Sequence, residues 1–149
     1  VLRTGRKGLA ALTLILDLLK GTAAVLIARH FFPGTEMVAA AAAFFGHLYP
    51  VWIGFKGGKG LATYAGILFG LHWPLGLGYG AVWLLALAAT RISSVAGMAA
   101  AVAAPILAWV AGKEEFVAVL AAISLIAIIK HRGNISRLIA GTEPKVGQK

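Results

Sequence analysis

The sequence predicts an all-α fold, a polytopic transmembrane bundle of six helices in a single integral-membrane domain, and three observations predict it. Sixty per cent of the 149 residues are hydrophobic and 13% are charged. Mean hydropathy is +0.87, far above that of an ordinary soluble domain. Long apolar stretches also recur along the chain, each bounded by Gly, Pro or charge.

The helices are read in order at 8–29, 37–53, 61–72, 74–90, 92–111 and 115–130. The first follows the basic run Arg3-Thr4-Gly5-Arg6-Lys7 and is closed by Pro33-Gly34-Thr35. The second carries Ala39 to Ala43, small residues that suit close helix packing in lipid. The third and fourth come from one long run, 61–90, broken at Trp73-Pro74, where the indole sits at an expected interface. The fifth opens at Ser93-Ser94 beyond Arg91, and Gly112-Lys113-Glu114-Glu115 separates it from the sixth. Several stretches fall below the ~20 residues that cross a ~30 Å hydrocarbon core upright, which implies a thinned or funnelled membrane face. No 20–50-residue repeat is evident. Val1 is not an initiator Met and no signal-peptide pattern precedes the basic run, so part of the N-terminus is expected to be missing.

Charge arbitrates whether 61–90 crosses once or twice. Two crossings put Arg3, Arg6, Lys7, Lys56, Lys59, Arg91, Lys130, Arg132, Arg137, Lys145 and Lys149 on one side, eleven of the fourteen Lys and Arg. Arg29 and Lys113 lie opposite, and Lys20 lies within a span. The positive-inside rule therefore favours two crossings, with both the 54–60 loop and the C-terminus cytoplasmic. The net charge of +9 is explained by this topology and by anionic substrates, without nucleic acid. The absence of Cys excludes disulfides and thiolate chemistry, and the scattered His and acids have no metal-ligand spacing.

Within this frame Gly54-Phe55-Lys56-Gly57-Gly58-Lys59-Gly60 is unusual. Interleaved glycines let backbone N–H groups turn toward an anion, the lysines add charge, and a helix-prone segment follows. It is not a nucleotide-binding Walker A loop, because Gly60 stands where Ser or Thr must follow Lys59. A basic turn that merely obeys charge sidedness is the alternative, but sidedness needs no glycine.

A second polar cluster, His131-Arg132-Gly133-Asn134-Ile135-Ser136-Arg137, follows the last span, with Gly141-Thr142-Glu143 beyond it. If it is helical, His131 and Asn134 share a face, as do Asn134 and Arg137. That face offers an acid/base, a neutral donor and a fixed cation; the competing reading is a snorkelling basic anchor. In the first span an i,i+3 pair of Asp17 and Lys20 relieves the cost of intramembrane charge. His47, at the end of the second span, either orients the following loop or is a helix-capping or interfacial His. His30 and His72 are read as structural. Ser93 and Ser94 are read first as helix caps, with anion binding as the alternative.

These residues together resemble a known family. Arg3, Asp17-x-x-Lys20-Gly21, Gly46-His47-x-x-Pro50 with Gly54 to Gly60, and His131-Arg132-x-Asn134-Ile135-x-Arg137-Leu138 with Gly141-x-Glu143 are similar to the bacterial membrane-integral glycerol-3-phosphate acyltransferases, the PlsY family. The resemblance covers nearly the whole chain. It departs at the start, where the family's first helix and its Ser-Gly-Asn-x-Gly-Ala-Thr-Asn segment before the position of Arg3 are absent. The resemblance implies a seven-helix inner-membrane enzyme of phospholipid biosynthesis, working without a cofactor, that moves an acyl group from acyl phosphate to glycerol 3-phosphate. It implies that Gly57, Gly58 and Gly60, with Lys59, Ser94 and Asn134, hold the acyl-phosphate head group. Arg3, Lys56 and His131 are implied to hold glycerol 3-phosphate, and Arg132 belongs to the same implied substrate-binding set.

Two substrates of about two negative charges each would repel by roughly 13 kcal/mol at ~5 Å and an effective dielectric near 20, so clustered cations are required. The hydroxyl proton has two candidate acceptors, His131 and a phosphate oxygen of the donor. No His is followed five residues later by Asp, so the His-x4-Asp chemistry of the other large glycerolipid acyltransferase group is absent. A transporter is the main rival reading, since Asp17 and Lys20 lie in a span, but most other spans lack polar residues. A non-catalytic phospholipid-binding protein is the second rival.

Overall fold

The structure, a computed structural model, describes residues 7–147. Among the described residues there are seven α-helices and one 3-10 turn, and no strand. The helices are α1 (Lys7–Phe31), α2 (Glu36–Leu48), α3 (Leu61–Leu71), α4 (Trp73–Thr90), α5 (Ser93–Val110), α6 (Glu114–Lys130) and α7 (Arg132–Ile139). The six expected helices are all present, and α7 is the polar cluster after the last span folded as a short helix of its own. The second helix ends earlier than expected, at Leu48 rather than residue 53. Pro50 disfavours helical backbone at Tyr49, which sits at φ −133°, ψ 55°, and the chain restarts as a 3-10 turn, Val51–Ile53.

Among the described residues four segments are long and apolar enough to cross a membrane: Gly8–Phe31, Glu36–Ile53, Trp73–Thr90 and Ser93–Val110. Taken as one span, the pair α6 and α7, bent by 56° at His131, is a fifth. At 1.5 Å per residue α3 is about 16 Å long, too short for the ~30 Å core. The chain divides into two compact units, one up to Trp73 and one from Pro74 onward.

In the first unit α3 packs on α1 through glycines. Side chains at Gly21, Gly66 and Gly70 would run into Thr63 and Ile67, the Leu18 backbone, and Val25, respectively. This small-residue contact lets the backbones approach closely, as lipid-embedded helices require. Thr22 Oγ1 donates to the Gly66 carbonyl at 2.8 Å, and Arg29 Nη2 donates to the Leu71 carbonyl at 2.8 Å. The pairings run in step along both helices, so α1 and α3 are parallel, and α3 begins alongside the middle of α1. Residues 11–16 of α1, which precede that contact, are all exposed, whereas Gly21, Val25 and Ala28 are buried. The short third helix therefore brings the 54–60 loop down to the level of Asp17 and Lys20.

In the second unit α5 and α6 pack through Ala96, Ala100, Ala101, Ala104 and Ala108, facing Leu120, Ile123 and Ala127. Pro105 lies inside α5 and has no N–H for the carbonyl four residues before it, that of Ala101. Ser124 Oγ on α6 donates to that carbonyl at 2.5 Å and replaces the missing bond.

Candidate active site

Each unit gathers one set of the polar residues singled out by the sequence. In the first, the chain leaves α2 through Pro50 and the 3-10 turn, then reverses at Gly54 and Phe55, both with φ of 62°. Phe55 is a non-glycine residue in left-handed backbone, held by its N–H on the Pro50 carbonyl at 3.0 Å. Gly57 N–H donates to the Leu48 carbonyl at 3.1 Å, which ties the loop to the end of α2. A side chain at Gly57 would collide with the His47 carbonyl and Leu48 backbone, and one at Gly58 with the His47 ring. Gly60, at φ 82°, leads into α3 with Phe44 and Leu48 against it. The glycines of this loop are thus required by close approach at 57 and 58, and by both approach and backbone at 60. Lys56 and Lys59 are exposed on the loop, and α3 starts at Leu61 directly beyond it. The N–H groups from Gly54 to Gly57 are taken by backbone carbonyls, so what the loop brings together is a helix N-terminus and two lysines, features that attract phosphate.

Behind the loop lies a polar trio from α1 and α2. Lys20 Nζ donates to Asp17 Oδ1 at 2.6 Å, as the i,i+3 spacing suggested, and also reaches His47 Nδ1 at 2.7 Å. His47 Nδ1 stands 3.3 Å from Asp17 Oδ1. His47 packs against Gly58, in line with the expectation that it orients the loop.

In the second unit the centre is a carboxylate. Ser94 Oγ donates to Glu143 Oε1 at 2.6 Å, Asn134 Nδ2 to the same oxygen at 2.5 Å, and Arg137 Nε to Glu143 Oε2 at 2.7 Å. The Glu143 side chain is 5% exposed. Burial opposes its charge, but the hydrogen bonds from Ser94, Asn134 and Arg137, together with the guanidinium charge, outweigh burial and hold its pKa at about 2. The carboxylate reaches this place because Gly141, at φ 69°, ends α7 and turns the chain back, with Thr142 N–H on the Arg137 carbonyl at 2.8 Å. Two bonds between Arg91 and Val146 hold the returning segment.

His131 sits at the α6–α7 bend and is 1% exposed. Its Nδ1 lies 2.7 Å from the Ala127 carbonyl, an atom that can only accept, so Nδ1 carries a proton and Nε2 is the acceptor of the neutral ring. Ser94 does not cap α5: its helix has no side-chain cap, and Ile92 N–H is taken by Thr90 Oγ1 at 3.1 Å. Asn134 and Arg137 share a face and meet on Glu143, as their spacing predicts. Arg132 is exposed and Arg137 is the arginine that joins the cluster. Arg3 lies outside the described residues. The central place of Glu143 was missed; its one local signal was Gly141, a residue able to turn the chain back toward α7.

Comparison with known proteins gives concordant findings. A family model described as glycerol-3-phosphate acyltransferase matches residues 1–141. The chain is 55% identical, over its whole length and 76% of the relative, to a glycerol-3-phosphate acyltransferase of Mesorhizobium japonicum. It is 58% identical, again over its whole length and 76% of the relative, to one of Erythrobacter litoralis. Among solved structures it is similar to PlsY (YgiH), an integral membrane glycerol 3-phosphate acyltransferase, in its glycerol 3-phosphate form. That match has a TM-score of 0.93 and 35% identity, and covers 97% of this chain and 74% of the other. The lysophosphatidic acid form of the same protein matches with a TM-score of 0.92.

Proposed function

Because the chain belongs to the glycerol-3-phosphate acyltransferase family, we propose that it transfers an acyl group from acyl phosphate to the primary hydroxyl of glycerol 3-phosphate. The products are lysophosphatidate and inorganic phosphate. The observation that carries the reading is the 54–60 loop, whose Gly57, Gly58 and Gly60 are closed to side chains and whose lysines and following helix all favour a phosphate.

The proposed roles follow the chemistry of each residue. Gly57, Gly58, Gly60 and Lys59 hold the acyl-phosphate head group, with Ser94 and Asn134 as further donors; the Gly57 N–H is held by the Leu48 carbonyl, so Gly57 shapes the loop and leaves donation to its neighbours. Lys56, Arg3 and His131 hold glycerol 3-phosphate, and Arg132 adds positive charge to substrate binding. Ser94 has one hydroxyl proton and gives it to Glu143, so holding a phosphate requires that proton to turn to a phosphate oxygen. In the reaction the glycerol oxygen bonds to the acyl carbon, the anhydride C–O bond breaks, and phosphate leaves with the electron pair. The hydroxyl proton goes either to the leaving phosphate or to Nε2 of His131, the acceptor side of that ring. Phosphate is a good leaving group, so positioning and charge neutralisation supply most of the rate. The acyl tail and product belong in lipid and glycerol 3-phosphate in water, which fits a membrane enzyme working at the cytoplasmic face of the bacterial inner membrane.

The test is reconstitution with acyl phosphate and labelled glycerol 3-phosphate. Lysophosphatidate should form, and no product, or equal use of acyl-CoA, overturns the donor assignment. Lys59→Ala and His131→Ala should each lower turnover by about 100-fold or more; normal activity in either variant removes that residue from the site.

A further inference from the structure

We infer that His47 is a further phosphate-binding residue, held with its proton on Nε2 by Lys20 and Asp17 so that the imidazole N–H completes the anion cradle of the 54–60 loop. The inference rests on the proposed reading of that loop as a phosphate site.

His47 Nδ1 is 2.7 Å from Lys20 Nζ and 3.3 Å from Asp17 Oδ1. An ammonium can only donate, so Nδ1 accepts, and the proton of the neutral ring resides on Nε2. Asp17, 2.6 Å from Lys20 Nζ, fixes the ammonium in the position from which it donates. The trio therefore sets a tautomer rather than storing net charge, since Asp17 and Lys20 cancel. Nε2 is the ring atom nearest the position a Gly58 side chain would take. The imidazole thus occupies the space that the glycine leaves open, with its N–H presented at the loop. Gly57 N–H on the Leu48 carbonyl fixes the loop against the same turn of α2, so ring and loop move as one body. Lys20 and Asp17 are positioning residues, acting through the ring.

The experiment uses two isosteres. The side-chain amide nitrogen of Gln falls near Nε2, whereas Asn reaches only the Nδ1 position. His47→Asn should raise KM for acyl phosphate by about tenfold or more, with kcat within about threefold of wild type, as loss of a hydrogen bond to an anion predicts. His47→Gln should keep KM within about threefold. Equal impairment of the two variants, or an unchanged KM in His47→Asn, overturns the inference. Lys59→Ala run alongside separates the two claims. If it raises KM for glycerol 3-phosphate instead, the assignment of the loop to the donor fails, and the effect of His47→Asn on that same substrate is then the one read. A measurement that needs no altered cradle is 15N NMR of histidine-labelled wild type, with His47 assigned by its loss in His47→Gln. The protonated nitrogen should be Nε2 and should shift on addition of inorganic phosphate, and Lys20→Met should move the proton toward Nδ1. An Nδ1–H ring in wild type, or an Nε2 signal indifferent to phosphate, overturns it.

Discussion

At the scale of single residues, Glu143 shows how a carboxylate can organise donors that would otherwise be loose. Ser94 and Asn134 are buried, and Arg137 is the cation that balances the charge. Removing the carboxylate leaves buried donors unmatched at about 1–3 kcal/mol each. Its low pKa has a definite consequence for stability. A carboxyl at about 2 in the folded protein and 4.5 otherwise contributes stability that is complete above pH 4.5 and is lost as pH falls toward 2. The melting temperature of the wild-type protein in detergent should therefore fall between pH 5 and pH 3 more steeply than that of Glu143→Gln. Parallel acid slopes would place the titrating group elsewhere.

At the scale of elements, the helices are held by substitutions for what lipid cannot supply. Water is absent from the hydrocarbon core, so a carbonyl orphaned by proline must find a protein donor. Ser124 does this for Ala101 opposite Pro105. Ser124→Ala should destabilise the second unit by about 1–2 kcal/mol, and adding Pro105→Ala, which restores the backbone N–H, should recover most of the loss. Unfolding in mixed micelles measures both, and a double variant no better than the single one refutes the account. The contact between α1 and α3 follows the same logic with packing instead of hydrogen bonds. Gly66 and Gly70, four apart, let α3 lie against Leu18, Thr22 and Val25. The composition announced close packing in general terms, but Gly66 and Gly70 were not picked out, because spacing alone does not name the partner helix.

At the scale of the whole molecule, the proposed sidedness rests on charge and is open to a direct check. Eleven of fourteen Lys and Arg fall on one side if 61–90 crosses twice. The helix break at His72, with φ −159° and ψ 103° between α3 and α4, lies where Trp73-Pro74 pointed. A cysteine added after Lys149, in a chain that has none, should be labelled by an impermeant thiol reagent from outside inverted vesicles and not from outside right-side-out ones. Labelling from the periplasmic side overturns the two-crossing topology.

The sequence by itself determined the membrane class, the helix positions to within a few residues, the Asp17–Lys20 pair, and the presence of a glycine-rich basic loop at 54–60. These are properties of composition and short-range period, and both act within a turn or two of helix. The end of α2 was misjudged because hydropathy continues through residue 53 while Pro50 does not permit the helix to. Only the tertiary structure decided that α3 starts halfway along α1 and lowers the loop to Lys20. It alone closed the contacts between Lys20 and His47, 27 residues apart, and between Ser94 and Glu143, 49 apart. Such contacts depend on which helix faces accept one another, a question settled by glycine-lined surfaces and backbone reversals at Gly54, Gly60 and Gly141. The loop's glycines and lysines were legible from the sequence; the ring behind it became visible once α1 and α2 were packed.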